Sequence, residues 1–142
     1  MLIKKLTVED INHDLLKKIY HWRFNVYSKY FSNDFRPSYK NHIEFLNRAI
    51  SSTNEIWFGL FIYRNNDEMS FAGCASIYNF KNSECEFGRL MISPSHLGHS
   101  YSRKLIFFII NYVKDQLSAD RIKLVVKSDN IYATNVYISI GF

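Results

Sequence analysis

Residues 55–93 read EIWFGLFIYRNNDEMSFAGCASIYNFKNSECEFGRLMIS. Three apolar runs rich in aromatic and β-branched residues, 55–64, 69–80 and 85–93, are separated by the short polar segments 65–68 and 81–84. Runs of this length joined by polar turns predict an antiparallel meander. Downstream the period changes. YSRKLIFFIINYVKDQL (101–117) is apolar on nearly all sides from Leu105 to Ile110, as in a helix packed on a sheet. RIKLVVK (121–127) reads as a further strand, and SDNIYATNVYISIGF (128–142) opens on capping residues and continues as a helix. Upstream, residues 2–7 form a short strand. Leu15, Leu16, Ile19, Trp22, Arg23 and Val26 recur at helical steps between Asn12 and about Tyr30. FSNDFRPS (31–38) interrupts that pattern, and Ser38 caps a second helix with Ile43, Leu46, Ala49 and Ile50 on one side. The expected order is β-α-α-β-β-β-α-β-α. It corresponds to the α/β (α+β) class, with a mixed, largely antiparallel central sheet flanked by helices.

At 142 residues the chain has the length of one ordinary domain, so 1–142 is taken as a single unit with one site. Hydrophobic residues at 47% against 22% charged support a core that needs no disulfides. Cys74 and Cys85 each sit in an apolar run and read as buried free thiols, and no ligand spacing joins them to histidines, so no metal is expected. The net charge of +5 favours anionic partners. Its scatter, without a long basic run or a groove-reading signature, argues against nucleic acid. No stretch is long enough to span a membrane and the N-terminus lacks a signal-peptide pattern, which gives a cytoplasmic expectation with no membrane partner.

Chemistry first suggests itself at LMISPSHLGHSYSRKLI (90–106). A strand ends near Ser93, and a loop with Pro94 and Gly98 leads into a helix at about Ser100. First-turn amides lack internal partners and the helix dipole adds positive charge, so a pyrophosphate fits there. Gly98, Ser100 and Ser102 are small enough for close approach, while His99, Arg103 and Lys104 could add charge. The plain alternative is an ordinary strand-to-helix turn.

This stretch resembles the acetyl-CoA loop of GNAT-type N-acetyltransferases, whose pattern is Arg or Gln, two residues, Gly, one residue, then Gly or Ala. The pattern falls on Leu97, Gly98, His99, Ser100, Tyr101 and Ser102. Leu97 replaces the leading polar residue, and Ser100 and Ser102 replace the glycines. A second resemblance lies at the C-terminus, where Asn130, Ala133, Val136, Tyr137, Gly141 and Phe142 reproduce N-x-x-A-x-x-[LV]-Y-x-x-x-G-F. A buried helical stripe would explain the apolar positions but not the capping Asn, the Tyr and the terminal Gly-Phe together. The likeness runs from about Glu55 to the end. A weaker one, in HWRFNVYSKYF, Ser38 and HIEFL, points to branches that acetylate sugar nucleotides or ribosomal-protein N-termini.

The resemblance implies that acetyl-CoA is the co-substrate and that an acceptor amine attacks the thioester directly. Leu90, Met91 and Ile92 on the third strand of the meander would hold the thioester arm. Leu97, Gly98, His99, Ser100, Tyr101, Ser102 and Arg103 would hold the pyrophosphate, and Asn130, Ala133 and Tyr137 would close the site. Tyr137 would assist the leaving thiolate. Glu84 or Glu86, directly or through water, would serve as base, Glu86 being the one chosen, although a solvated strand face explains both. Trp22 and Arg23 would meet the acceptor, against the plainer readings of a core anchor and a surface charge. An amino sugar or sugar nucleotide is the favoured acceptor. A protein N-terminus, or a GNAT-fold binding module without turnover, stays open beside it. Family members continue past Gly-Phe with another strand, so a missing last strand and self-association into a homodimer at the exposed edge are expected.

Overall fold

Alternation along the central strands divides the core in two. On the second strand Trp57 packs to one side and Phe58 to the other. On the third, Cys74 joins the first cluster, and Ala75 and Ile77 the second. A sheet buried on both faces needs a helical layer on each, and the sequence supplies both. In the computed structural model, which describes residues 1–31, 35–65 and 67–142, the elements are β1 (Leu2–Lys5), α1 (His13–His21), α2 (Tyr39–Ser51), β2 (Glu55–Tyr63), β3 (Met69–Lys81), β4 (Glu84–Ile92), α3 (Tyr101–Tyr112), β5 (Arg121–Leu124) and α4 (Ile131–Ile140). The sheet order is β1-β2-β3-β4-β5, antiparallel throughout except for the parallel β4–β5 pair. The fold is therefore the mixed, largely antiparallel α/β arrangement expected. The turn readings at Ser32–Asp34 and at Asn66 lie outside the described residues.

Local signals explain the helix starts. Asn12 Oδ1 accepts from the Leu15 amide at 2.9 Å, and Ser38 Oγ from the Asn41 amide at 3.2 Å. Each satisfies one donor that the helix cannot. The long helix expected from Asn12 to Tyr30 is not continuous. It passes into a π-helical turn at Trp22–Val26, closed by the Tyr27 amide on the Trp22 carbonyl at 2.8 Å, and then a 3-10 turn at Ser28–Tyr30. Wide turns of this kind re-aim the side chains that follow. Here Tyr27 Oη donates to the Ile92 carbonyl at 2.5 Å, tying this segment to the end of β4. On α2 the buried positions are His42, Leu46, Ala49 and Ile50, and Ile43 is only partly buried. The first strand ends at Lys5, although the Leu6 amide still reaches the Trp57 carbonyl at 2.8 Å. Cys74 and Cys85 are free, buried and in different cores.

Phe58 is fully buried in β2 and meets the rings of Phe108 and Tyr112 edge-on at 6.0 and 5.0 Å. Phe58→Ala should lower unfolding stability by about 3–5 kcal/mol, the scale of a core aromatic deletion. Urea denaturation checks this, and a loss below about 1 kcal/mol would contradict the packing of α3 on the sheet.

Candidate active site

β4 and β5 pair from Glu84↔Arg121 to Phe87↔Leu124, and the ladder stops there. On its other edge β4 stays with β3, but irregularly. Ser76 faces Gly88 and Cys74 faces Met91, so three steps of β4 span two of β3. The extra residue is a bulge, and Arg89 within it has a left-handed φ of 55°. Past Phe87 one edge of β4 has no strand beside it among the described residues. Its alternate amides border a cavity of about 920 Å³. Gly88 keeps this passage narrow on one side. A Cβ there would lie 2.3 Å from Tyr78 Oη, so glycine lets the phenol lie across the strand.

The loop after β4 forms the next wall. The Ser93 amide bonds to the Ala72 carbonyl at 2.8 Å, a short helix runs over Pro94–His96, and Gly98 and Ser100 take φ of 84° and 59°. α3 then begins at Tyr101 with no side-chain cap, which leaves its first-turn amides for a ligand. Leu97, Gly98, Ser100, Tyr101 and Ser102 line the cavity. His99 and Arg103 do not. His99 is exposed with its ring 5.6 Å from Tyr101, and Arg103 donates to Ser139 Oγ of α4.

α4 supplies the opposite wall. Asn130 Oδ1 accepts from the Ala133 amide at 3.3 Å and so starts the helix, and Ala133, Val136 and Tyr137 line the cavity. Leu90, Met91 and Ile92 line it from β4. Tyr137 has its ring edge-on to Phe87 at 6.1 Å, and burial, with Tyr78 nearby, pushes its phenol up to about 12. Backbone amides, a small residue and a neutral phenol thus converge on one cleft. That set fits the phosphate-bearing, thioester-ended co-substrate expected from the sequence.

The acceptor side differs in part from expectation. Trp22 is only 3% exposed and stacks on Phe71 at 5.3 Å. It belongs to the core and is not part of the cavity wall, because its place on the π-helical turn faces the sheet. Arg23 does line the cavity, with its guanidinium 4.0 Å from the Phe31 ring centre and 4.7 Å from that of Phe24. Glu86 lines it too and accepts from Asn79 Nδ2 at 2.9 Å. Glu84 instead pairs with Lys123 at 3.0 Å and Arg121 at 3.6 Å, away from the cavity. Lys127 Nζ donates to the Lys29 carbonyl at 2.9 Å, joining the β5–α4 loop to the segment after α1.

Two lining residues were missed. His42 lies among the rings of Tyr20, Phe24 and Phe45, and among the described residues its Nε2 has no hydrogen-bond partner. Burial, then the charge of Arg23, pushes it down to about 4. Arg89 is the other. Its Nη1 donates to Ser76 Oγ at 2.9 Å and lies 3.4 Å from Glu55 Oε2. A signal existed for each: a histidine at the buried phase of α2, and an arginine inside an apolar strand. No group of three His, Cys, Asp or Glu residues gathers to hold a metal, and no helix is long and apolar enough to cross a membrane, among the described residues.

Comparison with known proteins agrees with this arrangement. A family model described as the acetyltransferase (GNAT) family matches residues 16–142. No curated protein matches the chain. Among solved structures, a domain from Methanocaldococcus jannaschii superposes with a TM-score of 0.79 at 17% identity, over 99% of this chain and 86% of that one. The spermidine N-acetyltransferase of Vibrio cholerae, in complex with CoA and spermine, gives 0.75 at 22%, over 98% and 79%. The N-acetyltransferase PseH of Campylobacter jejuni, in complex with acetyl coenzyme A, gives 0.70 at 23%, over 99% and 88%.

Two measurements check this geometry. Gly98→Ala should cost about 1 kcal/mol, since a side chain is disfavoured at positive φ. Ser100→Gly should be neutral or stabilising by about 0.5 kcal/mol, because relief of the left-handed strain exceeds the added chain entropy. Gly98→Ala should lower the denaturant midpoint and Ser100→Gly should not, and a common destabilising sign would refute the loop conformation. Separately, His42 titrates near 6.5 when unfolded and about 4 when folded. Its neutral form is the one folding favours, so its contribution is complete above pH about 6.5 and is lost as pH falls toward about 4. His42→Phe should flatten that part of the stability profile, and an unchanged acid limb would refute the burial of the imidazole.

Proposed function

The chain belongs to the GNAT acetyltransferase family, and on that premise we propose that it transfers acetyl from acetyl-CoA to the primary amine of a small acceptor, an amino sugar or sugar nucleotide. The observation that carries this reading is the opening between β4 and β5, set beside the uncapped N-terminus of α3. Acetyl-CoA, when bound, supplies an acyl thioester activated toward amine attack. The first-turn amides from Gly98 to Arg103 meet its pyrophosphate. The free edge of β4 around Leu90, Met91 and Ile92 orients the acyl arm, and an amide there polarises the carbonyl oxygen. Such preorganised donors lower the barrier by a few kcal/mol, about 3. Ala133 keeps α4 close without crowding that arm, and Asn130 fixes where α4 starts.

Tyr137 donates to the departing sulfur. Its phenol, raised to about 12, is neutral at physiological pH and always carries the proton to be shared. The raised value also makes full proton transfer less favourable, so its help is chiefly a hydrogen bond. Glu86, on the acceptor side of β4, takes the proton from the incoming ammonium. The lining charges support a neutral or anionic acceptor over a polycation. Among the described lining residues Glu86 is the only carboxylate, against Arg23, Arg89 and Lys127. The rings of Phe24, Tyr27, Phe31 and Phe45 give a sugar or base flat surfaces to rest on. The same reading carries a cytoplasmic location and self-association along the free edge of β5.

Acetyl-CoA at 100 times its dissociation constant should stabilise the fold by about 2.7 kcal/mol. Absence of any melting shift at millimolar acetyl-CoA would defeat the proposal, and binding without thiol release from any amine would leave a non-catalytic module. Tyr137→Phe should lower kcat by about 10²-fold, the low end for acid–base assistance, with melting near wild type. Full kcat in a chemistry-limited assay would reduce Tyr137 to a packing residue. Folding favours the neutral phenol, so its stability contribution is complete below pH about 10 and lost only toward about 12.

A further inference from the structure

Arg89 is a cation in the middle of a buried strand, and acetyl transfer as described assigns it no task. Its guanidinium sits among rings, 4.4 Å from the centre of Tyr78, 5.4 Å from Trp57 and 6.0 Å from Phe45. Among the described residues its guanidinium has two polar partners, Ser76 and Glu55, both reached through Nη1. Glu55 is itself held by Trp57 Nε1 at 2.6 Å and is 16% exposed in its side chain, which fixes the carboxylate behind the guanidinium. Among the described residues nothing else bonds to Nε or Nη2, yet Arg89 lines the cavity. A planar fork with donors to spare, in a partly desolvated aromatic setting, matches an oxyanion.

The surroundings extend the match. From Arg23 the rings follow one another along the same wall: guanidinium to Phe24 at 4.7 Å, Phe24 to His42 at 4.9 Å, His42 to Phe45 at 5.8 Å, and Phe45 to the Arg89 guanidinium at 6.0 Å. Two cations thus bound an aromatic strip. His42 in that strip has a buried Nε2 without a partner among the described residues. A ring-bearing acceptor with a negative group would use the strip for its ring and a guanidinium for its charge.

Resting on the acetyl-transfer reading above, we propose that Arg89 is the acceptor-anchoring residue of this chain. It binds an oxyanion, carboxylate or phosphate, carried by the amine acceptor, and so selects anionic amino compounds over neutral ones and over polyamines. Glu55 and Ser76 hold the guanidinium in place for that contact. The alternative task for Arg89 is purely structural, clamping the β4 bulge to β2 and β3.

Matched acceptors separate these roles: glucosamine, glucosamine 6-phosphate, the uronic acid of glucosamine, and spermidine. Each is measured on the full chain by thiol release with acetyl-CoA and by melting shift in the presence of CoA. The wild type should show kcat/KM for an anionic member about tenfold or more above that for glucosamine, the scale of one charge-assisted hydrogen bond. The phosphate and carboxylate arms identify which oxyanion is read. Arg89→Gln should collapse the ratio toward one through the acceptor KM, and Arg89→Lys should retain part of it as a point charge. A wild type without preference for either anion overturns the proposal, even where the variants fail to fold. So does an Arg89→Gln protein that loses anionic and neutral acceptors in equal proportion, the signature of a structural clamp. No thiol release from any amine would count against acetyl transfer itself. The melting shifts then decide Arg89 alone: stabilisation by an anionic member that Arg89→Gln abolishes supports it, and none in the wild type overturns it.

Discussion

β4 cannot keep both neighbours. It needs β3 along its whole length to hold the two cores together, and it needs β5 to complete the sheet. The bulge at Arg89 resolves the conflict in favour of β3, and the ladder to β5 ends at Phe87↔Leu124. Everything useful in the molecule lies around that separation. The free strand edge, the helix start that follows β4 and the helix that follows β5 all meet there. A sheet buried on both faces makes the separation rigid, because each side of it is anchored by packed side chains rather than by loops. Site residues on such elements are held more closely than loop residues would be.

Much of this could be read from residues. The meander, the caps at Ser38 and Asn130, and the switch from strand to helix period are local properties, and local properties survive folding unchanged. The residues expected to hold the co-substrate also gathered in one cleft, apart from His99 and Arg103, whose side chains point elsewhere. Direction was harder. Trp22 and Arg23 are neighbours on the same π-helical turn, yet Trp22, three residues after Ile19, keeps the core phase of α1 while Arg23 lines the cavity. His42 was overlooked because an apolar pattern count passes over an imidazole, although its phase on α2 matches Leu46 and Ala49. Arg89 was overlooked because a period of two predicts a face only while the ladder is regular, and a bulge resets that period.

The substitution of serine for glycine in the loop acquires a physical meaning from the backbone. Ser100 stands at φ 59°, where a side chain is tolerated but costs something. Ser102 stands within the helix, where no such requirement exists. The two departures from the family pattern are therefore unequal. One replaces a conformational need, and the other only a need for space.

The bond from Lys127, which lines the cavity, to the Lys29 carbonyl joins residues 98 apart in sequence. An exposed bond of this kind contributes about 1 kcal/mol net, so it is broken roughly a sixth of the time at equilibrium. Loop segments exchange on a timescale of roughly nanoseconds to microseconds. A typical enzyme turns over in roughly a millisecond to a second. Many openings of this contact therefore occur within one turnover, so it is a fast local equilibrium beside the cavity and does not set the pace of turnover.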